Sequence, residues 1–398
     1  MSTMLRVATA GSVDDGKSTL IGRLLYDSKS LMSDHVETAE ADLARLTDGL
    51  RAEREQGITI DVAYRSFATP ARRFVLHDCP GHAQYTRNMV TGVSTADHAV
   101  MLVDVRRGLT EQGRRHSAIA ALLRVPQVTV AVNKMDLVGY AEEAFDALVR
   151  EFLEWSSRLG LHDVAFIPVS ALAGDNVVER SPQMPWYVGP PLLAHLEAAP
   201  AGGGLETAPA RLPVQRVARD GEQRWYAGRI AAGSLRPGDE VVVLPGAQRT
   251  RVARVAGPGG ELEEAVAPLS ASVALEDDLD VGRGDVIAAA DAAPAPVREL
   301  EATLCWLGDA PGTPGARYLL KHTTRTARAR LEAVEGLLDV ETLERSPAAA
   351  LALNAIGHVR LRTADPIAAD PYPACRPTGA FVLIDEATGD TVAAGMVA

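Results

Sequence analysis

The sequence predicts an α/β domain with a mostly parallel sheet, followed by smaller β-rich domains. In the first half, short apolar strands alternate with amphipathic helical patterns, which is typical of doubly wound sheets. After residue 211, short β-rich runs alternate with Gly and Pro turns, which favours small β domains. The chain of 398 residues is longer than one ordinary hydrophobic core supports, so we expect two or three domains.

Composition indicates a soluble, cytoplasmic globular protein. Hydrophobic residues make up 47% of the chain and charged residues 23%, as in ordinary globular domains. The net charge of −12 argues against general binding to nucleic acid or to anionic membranes, so neither is expected as a partner. Cys79, Cys305 and Cys375 form no C-x-x-C pair, which favours a reducing compartment over a disulfide or zinc site. The sequence shows no signal-peptide pattern and no apolar run of roughly 18 residues.

A phosphate-binding motif follows the first predicted strand. Residues 4–10 predict a short buried strand, and residues 19–26 predict an amphipathic helix. The run between them fits G-x-x-x-x-G-K-[ST] without a mismatch: Gly11, Ser12, Val13, Asp14, Asp15, Gly16, Lys17, Ser18 and Thr19. The glycines let backbone N–H groups converge on phosphate at the start of a helix. We expect Lys17 to reach the β- and γ-phosphates and the Ser18 hydroxyl to bind Mg²⁺.

A charged segment, residues 51–61, comes next and is interrupted by Gly57. It contains Thr59 just before a strand-like run, which is typical of a mobile switch loop. The Thr59 hydroxyl and carbonyl are expected to close on Mg²⁺ and the γ-phosphate. Taken alone, the same segment also fits a solvated loop with an incidental threonine.

The next predicted strand, residues 72–78, ends in an acidic residue and is followed by Cys-Pro-Gly-His. Asp78 at the strand end is expected to hold Mg²⁺ through water. Gly81 offers a backbone N–H to the γ-phosphate and, lacking a Cβ, permits a peptide flip on hydrolysis. We expect His82 to position the attacking water, although an isolated histidine is more often structural.

The predicted strand 128–132 ends in Asn133, Lys134, Met135 and Asp136, which indicates a guanine site. The Asp136 carboxylate can accept from guanine N1–H and the 2-amino group, while Asn133 faces the Hoogsteen edge and Lys134 packs along the base. Adenine offers no matching pair of donors, so the nucleotide is predicted to be GTP. A further strand, 164–169, leads to Ser170, Ala171 and Leu172, where the Ala171 N–H is expected to meet guanine O6.

These motifs resemble those of translation-factor-type GTPases. Nearly the whole chain resembles more closely the GTPase (large) subunit of heterodimeric bacterial sulfate adenylyltransferase, or ATP sulfurylase. The segments that carry this closer resemblance are residues 11–27, 52–65, 84–89, 114–117, 318–322, 324–326 and 378–385. Two positions depart from that family's usual pattern, namely Ala83 in place of Glu and Cys79 in place of a frequent Thr.

The resemblance implies a P-loop GTPase domain followed by two small antiparallel β-barrel domains. We place the GTP-binding domain at residues 1–200 and the two barrels at 209–290 and 297–398, with Gly- and Pro-rich linkers at 196–211 and 288–296. Some relatives carry an added adenylylsulfate kinase domain with a second P-loop. Because residues 200–398 contain no second G-x-x-x-x-G-K, that activity is expected to be absent here.

The resemblance also implies the cofactors GTP or GDP and Mg²⁺, and a hetero-oligomer with a small catalytic adenylyltransferase subunit. That partner would join ATP and sulfate into adenosine 5′-phosphosulfate and pyrophosphate, driven by GTP hydrolysis on this chain. Two other functions remain open from the residues: an elongation-factor-Tu-like GTPase that delivers aminoacyl-tRNA, and a GTP switch uncoupled from the sulfurylase.

Several residues outside the nucleotide motifs have competing interpretations. The run Arg114, Arg115 and His116 is interpreted as a partner-facing helix surface rather than an anion site. His322 and Arg325 are expected to hydrogen-bond across a sheet or contact a partner rather than to catalyse. Trp306 is expected to serve packing or an interface.

Overall fold

The computed structural model describes residues 4–28, 61–82, 85–161, 163–221, 223–340 and 342–398. The chain forms two compact units. The first spans Met1–Gly203 with Val340–Leu343, and the second spans Gly204–Asp339 with Glu344–Ala398. The domain boundaries predicted above stay predictions. None of the helices in the described ranges is long and apolar enough to cross a membrane.

A six-stranded sheet forms the centre of the first unit, in the order β2-β3-β1-β4-β5-β6. Its strands are β1 (Met4–Gly11), β2 (Ala63–Ala68), β3 (Arg73–Asp78), β4 (His98–Asp104), β5 (Gln127–Asn133) and β6 (Val164–Pro168). Only β2 runs antiparallel to its neighbour, so the predicted mostly parallel α/β sheet is confirmed for the described residues. Strand β2 lies where the sequence indicated a strand-like run after Thr59, although its bounds were not predicted.

Five helices among the described residues each follow a strand of this sheet and bury apolar residues. They are α1 (Lys17–Asp27), α2 (Thr86–Ser94), α3 (Glu111–Leu122), α4 (Glu142–Arg158) and α5 (Leu192–Ala198). In α1 the buried Leu20, Ile21, Leu24 and Leu25 recur at helical spacing and join the core of the sheet. The predicted linker at 196–211 is therefore wrong at its first residues, since α5 extends to Ala198.

The strand registers place the chemically important residues at one edge of the sheet. Thr9 near the end of β1 pairs with Asp78 at the end of β3, and Gly11 pairs with Leu102 of β4. Asp104 at the end of β4 pairs with Asn133 at the end of β5. Because parallel strands end at the same edge, the residues that follow them converge there, where open α/β sheets bind ligands.

The second unit begins with an antiparallel sheet. Its strands are β7 (Arg211–Pro213), β8 (Arg216–Asp220), β9 (Gln223–Arg229), β10 (Ser234–Leu235), β11 (Glu240–Leu244), β12 (Gln248–Gly257), β13 (Gly260–Leu262), β14 (Ala265–Val266), β15 (Ser270–Leu275) and β16 (Val286–Ala289). All but β10 and β14, which pair with each other, belong to one sheet around an apolar core. The first β-rich run after residue 211 is divided between β7 and β8, which pair with different neighbours. Strand β16 also corrects the start of the predicted linker at 288–296.

The last part of the second unit is a closed antiparallel barrel. Its elements are β17 (Val297–Trp306), β18 (Arg317–His322), β19 (Arg325–Leu338), β20 (Arg345–Ser346), β21 (Ile356–Ile367), the short helix α6 (Arg376–Gly379), β22 (Ala380–Ile384) and β23 (Thr391–Val397). The pairing of β18 with β19 closes the ring. Trp306 lies in its core, which confirms the packing interpretation. His322 is buried and its Nε2 lies 2.7 Å from the Thr378 carbonyl, a structural contact.

Candidate nucleotide-binding site

The loop from Gly11 to Thr19 turns sharply between β1 and α1. Gly16 has a φ of 98°, and a Cβ added there would lie 2.4 Å from Nδ2 of Asn133, so only glycine fits. Lys17 is buried and its Nζ donates to the carbonyls of Gly11 at 3.1 Å and Ser12 at 2.8 Å. Burial lowers the pKa of Lys17, and the carboxylates of Asp78 and Asp15 oppose that effect. The loop therefore holds the Lys17 ammonium group beside its own backbone, where a phosphate would need a positive charge.

Asp15 leaves one acceptor unused inside this loop. Its Oδ2 accepts the N–H of Ser12 at 2.6 Å, while the buried Oδ1 has no hydrogen-bond partner among the described residues. Burial raises the pKa of the Asp15 carboxyl, and the Ser12 N–H and Lys17 counteract the rise. A buried acceptor without a donor marks a place where a further group is needed.

The residues predicted to bind Mg²⁺ meet at the end of β3. The hydroxyl of Ser18 donates to Oδ2 of Asp78 at 3.2 Å, and the hydroxyl of Thr9 lies at the same distance from Oδ1. This set of hydroxyl and carboxylate oxygens suits a hard cation such as Mg²⁺. Thr59, the other residue of the prediction, lies outside the described residues.

Gly81 lies against the phosphate loop. A Cβ added at Gly81 would stand 2.6 Å from Nζ of Lys17 and 3.0 Å from both the Gly11 carbonyl and the Val13 nitrogen. The next residue, His82, is partly exposed, and its ring centroid lies 6.3 Å from that of Tyr85. Gly81 thus lies beside Lys17 and the phosphate loop, with His82 next to it in the chain; its contact with the γ-phosphate stays a prediction.

Asn133 joins the phosphate loop to the predicted base loop. Its Nδ2 donates to the Asp15 carbonyl at 2.7 Å, and its Oδ1 accepts the N–H of Ala171 at 2.9 Å. The Ala171 N–H, which we expected to face guanine O6, is therefore already engaged. Lys134 lies 3.1 Å from Asp104 and also donates to the Asp14 carbonyl, while Asp136 is partly exposed in the next turn.

The loop after β6 has a buried start and an exposed end. Ser170 is fully buried, and its Oγ accepts the N–H of Ala173 at 3.1 Å. Leu172 is 69% exposed. Arg23 of α1 reaches this loop and donates to the carbonyls of Ala171 and Leu172.

The chain matches two family models and is similar over nearly its full length to proteins of known name. The family model "Elongation factor Tu GTP binding domain" matches residues 2–205, and "GTP-eEF1A C-terminal domain-like" matches residues 299–398. "Sulfate adenylyltransferase subunit 1" of Tolumonas auensis is 46% identical over 408 residues, covering 99% of this chain and 86% of the relative. The protein of that name from Chromobacterium violaceum is 47% identical with the same coverage. The chain belongs to the sulfate adenylyltransferase subunit 1 family.

A longer relative matches as well. "Bifunctional enzyme CysN/CysC" of Mycobacterium tuberculosis is 53% identical over 414 residues, which covers 100% of this chain and 67% of the relative. The match to the elongation factor Tu domain makes this subunit 1 family member a GTPase-type protein with a guanine-nucleotide site, so the predicted family and fold class are confirmed.

One site residue of this family member was misinterpreted from sequence. His116 does not face a partner but is buried, and its Nδ1 accepts the N–H of Gly11 at 3.1 Å. Burial lowers the pKa of His116 to about 3, so the ring is neutral. The hydroxyl of Thr110, which caps α3, lies 2.5 Å from that of Ser12. Helix α3 thus supports the phosphate loop.

Helical spacing could have revealed this support. Gly113, His116, Ser117 and Ala120 lie at intervals of three and four residues and are all buried. Arg114 is partly exposed, and its guanidinium carbon lies 5.4 Å from the centroid of the Trp155 ring. The interpretation as a partner-facing surface is wrong for His116 and stays a prediction for Arg114 and Arg115.

Asp104 forms charged contacts with two cationic side chains near the predicted guanine-binding residues. Asp104 at the end of β4 accepts two hydrogen bonds from the Arg106 guanidinium, at 2.7 and 3.1 Å, and lies 3.1 Å from Lys134. Burial would raise the pKa of the Asp104 carboxyl, but these cations and the Arg106 N–H hold it well below its usual range. The anionic Asp104 keeps the Lys134 ammonium beside the loop that follows β5.

Proposed function

We propose that this chain is the GTPase subunit of a sulfate adenylyltransferase. Its GTP hydrolysis would drive a partner, the small catalytic subunit, to form adenosine 5′-phosphosulfate and pyrophosphate from ATP and sulfate. The observation that carries the proposal is the meeting of the phosphate loop, Asp78, Gly81 and Asn133 at one edge of the sheet. The near full-length likeness to proteins named sulfate adenylyltransferase subunit 1 supplies the reaction.

The phosphates of GTP would lie in the loop from Gly11 to Thr19. The Lys17 ammonium exchanges its backbone carbonyls for β- and γ-phosphate oxygens, which is favourable because phosphate carries the charge that a carbonyl lacks. Ser18, Asp78 and Thr59 would hold Mg²⁺, which neutralises the charge that develops on the phosphate oxygens. The buried Oδ1 of Asp15 would accept a hydrogen bond from a water of the filled site.

The base would lie between Asn133, Lys134, Asp136 and the loop Ser170–Leu172. Asp136 reads N1–H and the 2-amino group, which adenine does not present together. Asn133 acts mainly as the brace between the two loops, since both ends of its amide are already bonded to backbone. GTP and GDP share all these base contacts, so the γ-phosphate distinguishes them through Gly81 and Thr59.

Hydrolysis would proceed by in-line attack of water on the γ-phosphorus. A bond forms from the water oxygen to phosphorus while the bond to the bridging β–γ oxygen breaks, which yields GDP, phosphate and a proton. His82 orients the water, and the backbone N–H of Gly81 binds the γ-phosphate oxygen. Loss of the γ-phosphate releases the segments around Gly81 and Thr59, and this change would transmit free energy to the partner subunit in the cytoplasm.

Sulfate-dependent GTP hydrolysis tests the proposal. The complex is purified from its own host, and GTP hydrolysis and pyrophosphate release are measured with ATP present, with and without sulfate. We expect sulfate to raise GTP hydrolysis in step with pyrophosphate. Hydrolysis indifferent to sulfate, with no small partner in the preparation, would instead support the uncoupled switch. Co-sedimentation with ribosomes and binding of aminoacyl-tRNA would support the elongation-factor-Tu-like alternative.

A further inference from the structure

Arg23 connects the phosphate side of the candidate site to its base side. It lies on α1, the helix that starts at Lys17, and its guanidinium crosses to the loop after β6. There Nε donates to the Ala171 carbonyl at 3.3 Å, and a terminal nitrogen donates to the Leu172 carbonyl. Two successive carbonyls are thus held by one side chain from a rigid helix.

The local contacts of Arg23 fix its orientation. Asp27, one turn further along α1, lies 3.4 Å from a terminal nitrogen, and the ring centroid of Tyr26 lies 5.9 Å from the guanidinium carbon. The side chain is only 18% exposed. A planar guanidinium with donors in a fixed fork can reach two carbonyls and a carboxylate at once, which a lysine ammonium on a flexible stem does less well.

The hydrogen bonds of the loop leave one backbone donor available. The N–H of Ser170 donates to the Asp175 carbonyl, that of Ala171 to Asn133, and that of Ala173 to the Ser170 hydroxyl. The N–H of Leu172 has no acceptor among the described residues. In a trans peptide the N–H points opposite to the preceding C=O, so the bond from Arg23 to the Ala171 carbonyl turns the Leu172 N–H to the other side.

We propose that Arg23 is a positioning residue for guanine recognition, which acts by holding the Ala171–Leu172 peptide so that the Leu172 N–H donates to guanine O6. This inference rests on the proposed function and adds the residue that sets the geometry of its base contact. Arg23 itself does not touch the nucleotide.

The test compares a nucleotide that has O6 with one that lacks it. Affinities for GDP and for the 5′-diphosphate of 2-aminopurine riboside are measured by calorimetry on the full chain carrying Arg23→Gln. A single neutral hydrogen bond is worth a factor of roughly 2 to 12 in affinity, so we expect the GDP affinity to fall about fivefold. Affinity for the analogue should stay within about twofold, because no O6 contact exists to be lost.

Three further variants separate positioning from folding. Arg23→Lys keeps the charge and one donor and should restore part of the GDP affinity. Asp27→Asn removes the charge but keeps an oxygen that can accept from the Arg23 guanidinium, so GDP affinity should change little. The matched control is Arg6→Gln. Arg6 is also a partly buried arginine of this unit and lies on β1, the strand that ends at the phosphate loop. Its terminal nitrogen lies 3.5 Å from the carboxylate of Asp97.

Equal losses for GDP and the analogue in Arg23→Gln would overturn the inference, because they would show a general structural role. Unchanged GDP affinity would overturn it as well. Failure of the guanine-nucleotide site on which the proposed function depends has a different signature: the unaltered chain would then bind GDP no better than ADP.

Discussion

Replacement of Asn133 by alanine removes the brace between the phosphate loop and the base loop. The change leaves the Asp15 carbonyl and the Ala171 N–H without partners, and both hydrogen bonds are buried. Each buried backbone group left unpaired costs about 1–3 kcal/mol, so the expected loss of stability is about 2–6 kcal/mol. For a unit of roughly 200 residues, 1 kcal/mol lowers Tm by about 2–4 °C, so Tm should fall by at least about 4 °C.

The assay is thermal unfolding followed by circular dichroism without nucleotide, so that lost ligand contacts do not contribute. The matched control is Gln183→Ala, which removes an exposed amide from the same unit and should leave Tm nearly unchanged. GDP affinity of Asn133→Ala should fall in parallel, because both loops lose their common support. A Tm equal to that of the control would refute the bracing role.

Three further predictions address hydrolysis, pH and the second unit. His82→Ala should bind GTP normally but hydrolyse it about 10²- to 10⁴-fold more slowly in single-turnover assays. The pKa of His116 is about 3 in the folded chain and 6.5 in the unfolded chain, so between these values the unfolded chain binds a proton that the folded chain does not. The free energy of unfolding is therefore highest above about pH 6.5 and falls as the pH is lowered towards about 3. His116→Gln, which can still accept from Gly11, should reduce that fall by up to about 1.4 kcal/mol per pH unit in urea unfolding. Asp370→Ala should lower the free energy of unfolding of the second unit by about 3–5 kcal/mol in denaturant unfolding. The change leaves the buried guanidinium of Arg211, whose terminal nitrogen lies 2.9 Å from Oδ1 of Asp370, without its carboxylate partner.

Clear outcomes would contradict these three predictions. Wild-type turnover in His82→Ala would remove that residue from catalysis. Identical pH dependence in His116→Gln and the unaltered chain would show that His116 does not titrate as its burial requires. For Asp370, the control is Arg251→Ala at an exposed pair with Glu240, where a loss of less than about 1 kcal/mol is expected. Equal losses at both pairs would contradict the argument from burial.

The nucleotide motifs could be predicted because they depend on local backbone chemistry. Gly16 has a positive φ, which favours glycine, and Asp78 is an acid at the end of a strand. Both features can be recognised from a few neighbouring residues of the sequence. The parallel sheet then brings these residues together without further information. Their contacts with nucleotide and Mg²⁺ stay predictions, and Thr59 and Ala83 lie outside the described residues.

Contacts between distant segments could not be predicted in this way. The bond from Asn133 to Ala171 joins residues 38 positions apart, and that from Arg23 to Ala171 joins residues 148 apart. Long strand β19 was also missed, because its buried face alternates small residues, Ala327 and Ala329, with exposed polar ones, which weakens the apolar pattern.

The most direct test of the account measures adenosine 5′-phosphosulfate formed by the purified complex from ATP and sulfate at equilibrium. We predict that adding GTP with Mg²⁺ raises the amount formed, and that a non-hydrolysable GTP analogue does not, because hydrolysis supplies the free energy. The same yield with GTP, with the analogue and without any guanine nucleotide would contradict the claim that this chain drives sulfate activation.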